Sequence, residues 1–383
     1  MPWTVTDPMI ERAKLVALHR EGRFSATELA RRAGVSRKTA YKWLHRYRDG
    51  GTDALADRSH ARREHVHRTP DDVEALIVDC RTRHPHWGPR KLLDYLAPRY
   101  PTVRLPAVST AGAILDRHGL VEHRPRRRRP SHPGTTALVA EAPNDVWTVD
   151  FKGEFRTGDG VYCYPLTVCD AHSRTILCCD GFASVAHQEP VAAFMRLFGT
   201  HGLPTAIRSD NGTPFVSPSA IDGLSHLNVL WTRLDIRHER IHPGRPDQNG
   251  RHERMHKTLK AETTRPPERD MAAQQVRFDA WVAEFNAERP HEALGGAVPL
   301  SLYGPSGRVL PPVLPAPEYP GYAEVRRVWG PGSVRFKSRE VFVSSVLRGE
   351  HVALTEICDG LWSVHFYGRL LGRLDERDWK LRG

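Results

Sequence analysis

The sequence has 383 residues and a formal net charge of +11, with a pI of about 9.6. This length predicts about two to four domains, each able to bury its own core. Basic residues run through the whole chain, which favours an acidic polymer such as nucleic acid as partner over the alternative of a merely basic soluble protein. The sequence has no segment of signal-peptide type and no long apolar run that predicts a membrane span. We therefore expect no membrane partner and a cytoplasmic protein, associated with the nucleoid when active.

The cysteines predict neither a disulfide framework nor a zinc site. No C-x-x-C pair occurs, which is typical of a reducing interior where thiols serve as small apolar groups. The adjacent Cys178 and Cys179 lie in a β-type run, where alternation predicts opposite faces of a strand and no shared metal.

Three short helical patterns occupy residues 1–58, which we predict to be one domain. Ser25 and Glu28 form a capping-box pattern at the start of the second helix. Gly34 then supplies a turn, and Ser36 caps the third helix. Two short helices joined by a tight turn with glycine have the geometry of a helix-turn-helix.

The third helix carries its basic residues on the outward side, as a helix in the DNA major groove requires. A solvated helical hairpin in any small domain is the alternative interpretation. The turn Gly34-Val35-Ser36 directly before a basic helix favours DNA binding. The candidate DNA contacts are Arg37, Lys38, Tyr41, Lys42 and Arg46.

A second helical unit is predicted at residues 69–121. Thr69-Pro70-Asp71 is typical of a helix start, His86 to Pro89 breaks the chain, and Ser109 caps a later helix. The pattern indicates a second helix-turn-helix or winged-helix-like DNA-binding domain.

A basic linker is predicted at residues 122–143, where arginine, proline, serine, glycine and threonine are concentrated. Such runs are usually solvated tethers, but arginines on a tether can also lie along phosphates. On the second interpretation Arg126, Arg127 and Arg128 contact DNA.

Residues 144–305 are predicted to form one α/β domain around a central sheet. Val146 to Phe151, Val161 to Cys169 and Thr175 to Phe182 are β-rich runs between turns, which predicts an antiparallel meander. A helix and a short strand, Ala206 to Ser209, follow. The remaining segment, 320–383, has short strand patterns and no convincing helix, which predicts a small all-β barrel or, alternatively, a sandwich.

Two aspartates lie within or at the end of predicted strands of this α/β domain. Asp150 lies in an otherwise apolar strand, a placement that costs free energy unless a cation or donor is present. Asp210 follows a strand and precedes Asn211-Gly212, a turn where backbone can approach a phosphate. An aspartate before Asn-Gly also forms turns without any function, so each residue alone is a weak signal.

A third acidic residue, Glu253, lies in the first turn of a helix after a glycine-containing loop. A glutamate there helps any helix, but helical spacing also places it on one face with Lys257 and Lys260. Three carboxylates suit Mg²⁺ or Mn²⁺, and two such ions can act together on a phosphodiester. We therefore predict that Asp150, Asp210 and Glu253 are catalytic and hold two metal ions, while the two lysines contact DNA.

These motifs resemble the Asp-Asp-Glu (DDE) catalytic core of retroviral integrases and of bacterial insertion-sequence transposases. The matching stretches are Trp147-Thr148-Val149-Asp150, Ser209-Asp210-Asn211-Gly212, Gln248-Asn249-Gly250 and Glu253-Arg254-Met255-His256-Lys257-Thr258-Leu259-Lys260. The later run from Phe285 to Leu294 resembles the bacterial branch, close to the insertion sequence 481 family. The resemblance covers nearly the whole chain.

The resemblance implies a multidomain fold with all-α helix-turn-helix units, an RNase-H-like core and a C-terminal all-β domain. The implied core has a five-stranded mixed sheet, with its acidic triad at Asp150, Asp210 and Glu253.

The sequence departs from the pattern of retroviral integrases in two ways. The interval of 43 positions from Asp210 to Glu253 is longer than in retroviral integrases, so we expect an extended segment around Ser217 to Leu234. No His-His-Cys-Cys zinc pattern precedes the core, and helix-turn-helix units take its place.

The implied function is that of a DNA transposase that binds terminal inverted repeats and catalyses metal-dependent cleavage and strand transfer. The implied partners are double-stranded DNA, as element ends and as target, and further copies of the chain in an oligomer on DNA. Two rivals stay open: a DNA-binding regulator with an inactive core, and a plain nuclease of RNase-H type.

Overall fold

A computed structural model describes residues 7–58, 68–122, 139–186, 188–217, 220–241 and 250–383, and of Arg251 only the backbone. The chain divides into two compact units, residues 1–68 and 69–383. The candidate contacts Arg126, Arg127 and Arg128, and the predicted motif residues Gln248 and Asn249, lie outside the described residues. Within the described ranges, no helix is both long enough and apolar enough to cross a membrane.

The first unit is a three-helix domain. Its helices are α1 (Pro8–Arg20), α2 (Ala26–Arg32) and α3 (Arg37–Gly50). Ser25 accepts a hydrogen bond from the Glu28 amide at 3.3 Å, and Ser36 accepts one from the Thr39 amide at 3.1 Å. Both predicted helix starts are therefore confirmed, because a serine side chain satisfies a backbone donor that the helix leaves free.

The second unit begins with three more helices, α4 (Asp71–Arg83), α5 (Pro89–Arg99) and α6 (Val108–Arg117). Ile77, Leu92 and Leu115 lie in their shared core. Side chains of this helical group also contact the α/β domain predicted at residues 144–305. His84 donates to Glu284 at 3.0 Å and Tyr95 donates to Glu288 at 3.3 Å. These contacts attach the α4–α6 group to the core domain.

A mixed sheet forms the centre of the core domain. Its strands are β1 (Val146–Phe151), β2 (Phe155–Arg156), β3 (Tyr162–Asp170), β4 (Ile176–Phe182), β5 (Ala206–Ser209) and β6 (Arg237–Arg240). The order is β2-β3-β1-β5-β6, and β4 pairs with β3. Strand β3 pairs antiparallel with both β1 and β4, which forms the predicted meander. Strand β5 pairs in parallel with both β1 and β6.

The sheet therefore has six strands, where we predicted five. The additional strand is β2, which has two residues and pairs with Tyr162 and Cys163. Strand β3 has nine residues and extends beyond its pairing with the six-residue β1. Strand β2 forms hydrogen bonds with the backbone groups at that end of β3, which β1 does not reach.

Helices cover both faces of this sheet. They are α7 (Gln188–His201), α8 (His226–Arg233), α9 (Gly250–Thr263) and α10 (Met271–Ala287). Cys178 shares a core with α7 and α8, whereas Cys179 shares a core with α9 and α10. The two cysteines thus lie on opposite faces, as the alternation predicts. Helix α8 lies within the interval between Asp210 and Glu253 that we expected to be extended.

The C-terminal segment is all-β. Its strands are β7 (Glu324–Arg327), β8 (Ser333–Phe336), β9 (Arg339–Phe342), β10 (His351–Cys358), β11 (Leu361–Phe366), β12 (Arg369–Asp375) and β13 (Lys380–Arg382). Five of them form a sheet of order β13-β12-β11-β10-β7, while β8 and β9 form a separate two-stranded sheet. The strand ladders of residues 320–383 thus do not form the closed ring of the predicted barrel, because the β8–β9 hairpin forms its own sheet.

Candidate active site

The strand order brings the first two predicted carboxylates to one edge of the sheet. Strands β1 and β5 are parallel neighbours, with Thr148 opposite Arg208. Asp150 and Asp210 each lie two positions further along, so both stand at the same end of adjacent strands. The carboxyl ends of parallel strands are where α/β sheets commonly place a ligand site.

The Asp210 carboxylate is held by the turn that follows β5. Its Oδ1 accepts a hydrogen bond from the Gly212 amide at 3.1 Å. A Cβ added at Gly212 would lie 3.0 Å from Asp210 Oδ2, which is closer than side chains normally pack. The glycine therefore leaves room for the acid itself, a role that we had not predicted.

A series of hydrogen-bonded polar side chains supports the backbone at Asp210. Ser209 Oγ donates to the backbone carbonyl of Asp210 at 2.7 Å and lies 2.8 Å from His238 Nε2. Asn228 lies 3.1 Å from the other ring nitrogen of His238 and donates to the Phe215 carbonyl at 2.9 Å. Burial lowers the pKa of His238 to about 3, so the ring is neutral at physiological pH. This series connects α8 and β6 to the end of β5.

The third carboxylate, Glu253, is exposed in the first turn of α9. Met255 and Leu259 anchor the buried face of α9 in the core formed with α10. Lys257 and Lys260 are exposed together with Glu253, as their helical spacing predicts.

Two buried histidines of α9 bind the helix to the strands beneath it. His252 Nε2 and His256 Nε2 lie 2.6 Å and 2.7 Å from Thr167 Oγ1. His252 Nδ1 lies 3.0 Å from Thr148 Oγ1. The two rings meet edge to face at 4.7 Å between centroids. This cluster fixes the position of α9, and hence of Glu253, relative to the strand that carries Asp150.

The surroundings of Asp150 disfavour the charged form of its carboxylate. Its side chain is 22% exposed, and burial raises its pKa to about 7, with the Asp210 charge as the next cause and the Glu253 charge a smaller one. His256 Nδ1 lies 3.7 Å from Asp150 Oδ2. Burial also lowers the pKa of His256 to about 2, so this contact is not an ion pair at neutral pH. The negative charge of Asp150 therefore lacks compensation by this neighbour.

The carboxylates gather at one edge but do not form a closed ligand set. Among the residues that the structure describes, no three His, Cys, Asp or Glu side chains are arranged so that they could hold a metal ion. Asp150 and Asp210 influence each other electrostatically, and Glu253 acts on Asp150 more weakly. Of these two carboxylates, Glu253 thus has the smaller effect on the pKa of Asp150.

The predicted DNA contacts of the first unit lie on α3. Four of the five side chains are exposed, and Arg46 is half-buried. The Arg46 and Lys42 cations lie 4.8 Å and 4.9 Å from the ring centroid of Trp43, which is itself buried in the domain core. The outward face is therefore basic and is backed by an aromatic ring.

Our sequence reasoning missed the polar residues behind the acids. Thr148, Thr167, His252 and His256 were given no role, nor were Asn228 and His238. One signal was present: His252 and His256 are four positions apart, within the apolar stripe of Met255 and Leu259. Two histidines in a buried stripe need polar partners, which predicts hydrogen-bonding groups on the strand beneath.

The sequence matches known domain families along most of its length. Residues 140–246 and 234–299 each match an integrase core domain family. Residues 11–63 match a helix-turn-helix domain family, and residues 39–115 match a homeodomain-like domain family. The chain is therefore similar to integrase core domains over residues 140–299 and to helix-turn-helix and homeodomain-like domains over residues 11–115.

Two of its relatives are insertion element proteins. It is 28% identical over 240 residues to a 39.2 kDa insertion element IS476 protein of Xanthomonas euvesicatoria, covering 59% of this chain and 63% of that one. It is 28% identical over 166 residues to a 31.7 kDa IS407 protein of Burkholderia multivorans, covering 41% and 54% of the two chains. The chain thus spans less than two thirds of the length of either relative.

Among solved structures, the chain shows a likeness to the catalytic core domain of HTLV-2 integrase in complex with magnesium. The identity is 16% and the TM-score 0.32, over 43% of this chain and 100% of that one.

Proposed function

We propose that this protein is a DNA transposase that binds the terminal inverted repeats of an element and joins them to target DNA. In this proposal residues 1–58 and 69–121 bind the repeats, and 122–143 link them to the catalytic domain at 144–305. The all-β domain lies at 320–383. Because transposition joins two ends, we expect an oligomer on DNA, with catalysis in trans by analogy with related systems.

The observation that carries the proposal is the state of Asp150. A half-buried carboxylate next to Asp210, with a pKa raised to about 7, is unfavourable without a cation. Oxygen donors of this kind fit Mg²⁺ or Mn²⁺. Asp150 and Asp210 would hold the metal, and Glu253 on the adjacent helix would complete a second site. When bound, the ions would polarise the scissile phosphate and stabilise charge on the attacking and leaving oxygens.

The protein groups then have distinct tasks. Gly212 and the Ser209–His238 pair hold Asp210 in place, and the histidines of α9 hold Glu253 against β1. Lys257 and Lys260 are exposed on the same side of α9 as Glu253 and would bind the phosphates that flank the scissile bond.

The proposed reaction has two steps at phosphorus. Water attacks a phosphodiester at the element end, and the bond to the 3′ oxygen breaks to leave a 3′-hydroxyl. That hydroxyl then attacks a target phosphodiester and displaces a 3′-hydroxyl of the target strand. Both steps exchange one P–O bond for another and need no external energy source.

A strand-transfer assay with labelled terminal-repeat DNA tests this proposal. Joined products are expected from a transposase, cleavage alone from a nuclease of RNase-H type, and binding alone from a regulator with an inactive core. Short inverted repeats in the DNA that flanks the gene would supply the substrate.

Replacing Arg37 or Lys42 with alanine is expected to weaken binding of the full chain to terminal-repeat DNA. Loss of a base-reading residue costs about 1–3 kcal/mol and relaxes sequence preference, whereas loss of a phosphate contact mainly reduces the salt dependence. Titrations at several salt concentrations measure both effects. Lys14→Ala is the matched control, since Lys14 is an exposed cation on α1 paired with Glu11 at 2.8 Å. Equal losses of affinity for terminal-repeat DNA in all three variants would mean that α3 does not contact the DNA.

A further inference from the structure

We propose that residues 284–296 form a docking segment that holds the α4–α6 group in a fixed place relative to α9 and thereby determines which phosphodiester is cleaved. This inference rests on the proposed function, in which residues 69–121 bind the element ends. The docking segment contains the run from Phe285 to Leu294 and lies within a matched integrase core domain, but the proposed reaction assigns no task to it.

One side of the docking segment presents acidic side chains to the helical group. Three glutamates spaced by four positions each contact a polar side chain there. The pairs are Glu284 with His84 at 3.0 Å, Glu288 with the Tyr95 hydroxyl at 3.3 Å, and Glu292 with Arg90 at 3.2 Å. The acidic side of the segment thus faces a side of the helical group that donates hydrogen bonds and carries positive charge.

The backbone of the docking segment also contacts α5. Lys91 Nζ donates to the Pro290 carbonyl, and burial lowers the pKa of Lys91 to about 8. A Cβ added at Gly296 would lie 3.2 Å from Asp94 Cγ, so the glycine permits α5 to approach closely. Several contacts spread along α5 fix its orientation as well as its distance, which a single ion pair would not do.

Two of the docked side chains also belong to the interior of the helical group. His84 stacks on Trp87 at 3.8 Å between ring centroids, and Tyr95 meets the same ring edge-on at 5.3 Å. Trp87 is buried among the three helices. Docking therefore fixes the whole α4–α6 group and not only the surface of α5.

The opposite side of the docking segment is fixed to the core domain. Arg289 donates to both carboxylate oxygens of Glu262 at 3.0 Å, and the two side chains are 9% and 16% exposed. Trp281 donates to the same carboxylate at 2.6 Å. Asn286 forms two hydrogen bonds with the backbone of Ile176, at the start of β4, at 2.9 Å and 2.8 Å. Because separating a buried ion pair leaves an uncompensated charge, this side of the segment stays with α9 and the sheet.

Glu262 connects this arrangement to the candidate active site. It lies on α9, nine positions after Glu253. At 1.5 Å per residue, the two glutamates are about 13.5 Å apart along one continuous helix. One buried ion pair and one helix thus relate the position of the α4–α6 group to that of the third carboxylate. DNA held by this group would reach the carboxylates at a fixed distance, which selects one phosphodiester.

The test uses the full chain with pairs of charge substitutions. Glu288→Lys/Glu292→Lys removes two contacts of the docking segment and places a cation opposite Arg90, which adds repulsion. Glu288→Gln/Glu292→Gln removes the charges without reversing them and is the milder second variant. Asp279→Lys/Glu340→Lys is the matched control, because it changes the net charge equally at two exposed acids outside the docking segment.

Three measurements are made on each protein. Hydrogen–deuterium exchange of residues 84–99 and 284–297, followed by mass spectrometry, reports docking. Mapping of the cut on labelled terminal-repeat DNA gives the position and the rate of cleavage. The thermal midpoint shows whether the variant folds.

In Glu288→Lys/Glu292→Lys, exchange of both segments is expected to be at least about threefold faster than in the parent. Cleavage at the parent's position should fall about tenfold or more, because a small displacement of the DNA removes the phosphodiester from the carboxylates. New cuts should appear at neighbouring phosphodiesters. The glutamine variant should change in the same direction but less, and the control should match the parent. A purely structural role would lower the amount of product without moving the cut.

Parent-like exchange in both folded docking variants would overturn the inference, because these contacts would then not hold the helical group. Faster exchange with cleavage still confined to the parent's position would overturn it as well, since docking would not determine the cut. A parent that binds terminal-repeat DNA but never cleaves it would instead refute the proposed function. Exchange would still show whether the docking segment holds the α4–α6 group, so the two failures are distinguishable.

Discussion

Asp150→Asn, Asp210→Asn and Glu253→Gln are each expected to abolish cleavage and joining of terminal-repeat DNA while specific DNA binding persists. The substitutions keep the size of the side chain but remove the charge that would hold the metal. Loss of a metal ligand removes several kcal/mol of transition-state stabilisation, so activity should fall by about three orders of magnitude or more. Joining activity, repeat affinity and thermal midpoint are measured on the same three proteins.

Asp159→Asn is the matched control for these variants. Its carboxylate accepts hydrogen bonds from the Thr157 hydroxyl at 2.6 Å and from the Val161 amide at 3.2 Å, so it is a structural acid of a turn. Its loss should lower stability and reduce activity only in proportion to the folded fraction. A triad variant that retains joining within about tenfold of the parent is not a metal ligand, and the triad must then be redrawn.

The thermal midpoints of the metal-free proteins also test the raised pKa of Asp150. Its folded pKa is about 7, above the ordinary value of 3.8, so the metal-free fold favours the protonated acid. Below about pH 4 the charged form does not lower the free energy of unfolding. The loss of stability develops as the pH rises toward 7 and is complete above it. Metal-free Asp150→Asn should therefore be more stable than the parent at pH 8, and the difference should vanish near pH 4.

Features with local causes were predictable from the sequence. Ser25 and Ser36 cap helices because a serine side chain reaches a backbone amide two or three residues away, a relation that any sequence displays. The opposite placement of Cys178 and Cys179 follows from the strand period alone. The exposure of Glu253, Lys257 and Lys260 on one side of α9 follows from the helical period.

Features that depend on distant partners were not predictable. Thr167 and His256 are 89 positions apart, and only the packing of α9 on β1 and β3 brings them together. Barrel closure likewise depends on hydrogen bonds between strands far apart in sequence, and β8 and β9 pair with each other instead. Strand β2 exists because β3 is longer than β1, and no pattern in Phe155–Arg156 marks it.

The structure thus adds a supporting layer to a triad that the sequence had indicated. Each of the two aspartates has a polar group directly behind it: Thr167 at the Asp150 carbonyl and Ser209 at the Asp210 carbonyl. Each hydroxyl in turn contacts a buried histidine. In the proposed metal site, this repeated arrangement would keep the two strand ends fixed.

Removal of divalent metal is expected to abolish cleavage and joining, and Mg²⁺ or Mn²⁺ is expected to restore both. Asp150 and Asp210 supply oxygen donors that match small octahedral ions, whose ligand distances are about 2.0–2.2 Å. Ca²⁺ takes more ligands at about 2.3–2.6 Å, so it should occupy the site and support DNA binding without turnover. Reactions in chelator, followed by addition of each ion in excess, measure this dependence.

Repeat binding in chelator is the control for this experiment. Arg37 and Lys42 lie on α3 in the first unit and bind DNA in the proposal through their own charges, so binding should persist when activity is lost. Loss of binding together with activity would instead mean that the metal organises the protein–DNA complex. Full activity in excess chelator would show that the reaction does not need a metal ion. The raised pKa of Asp150 would then indicate a proton-transfer group in place of a metal ligand.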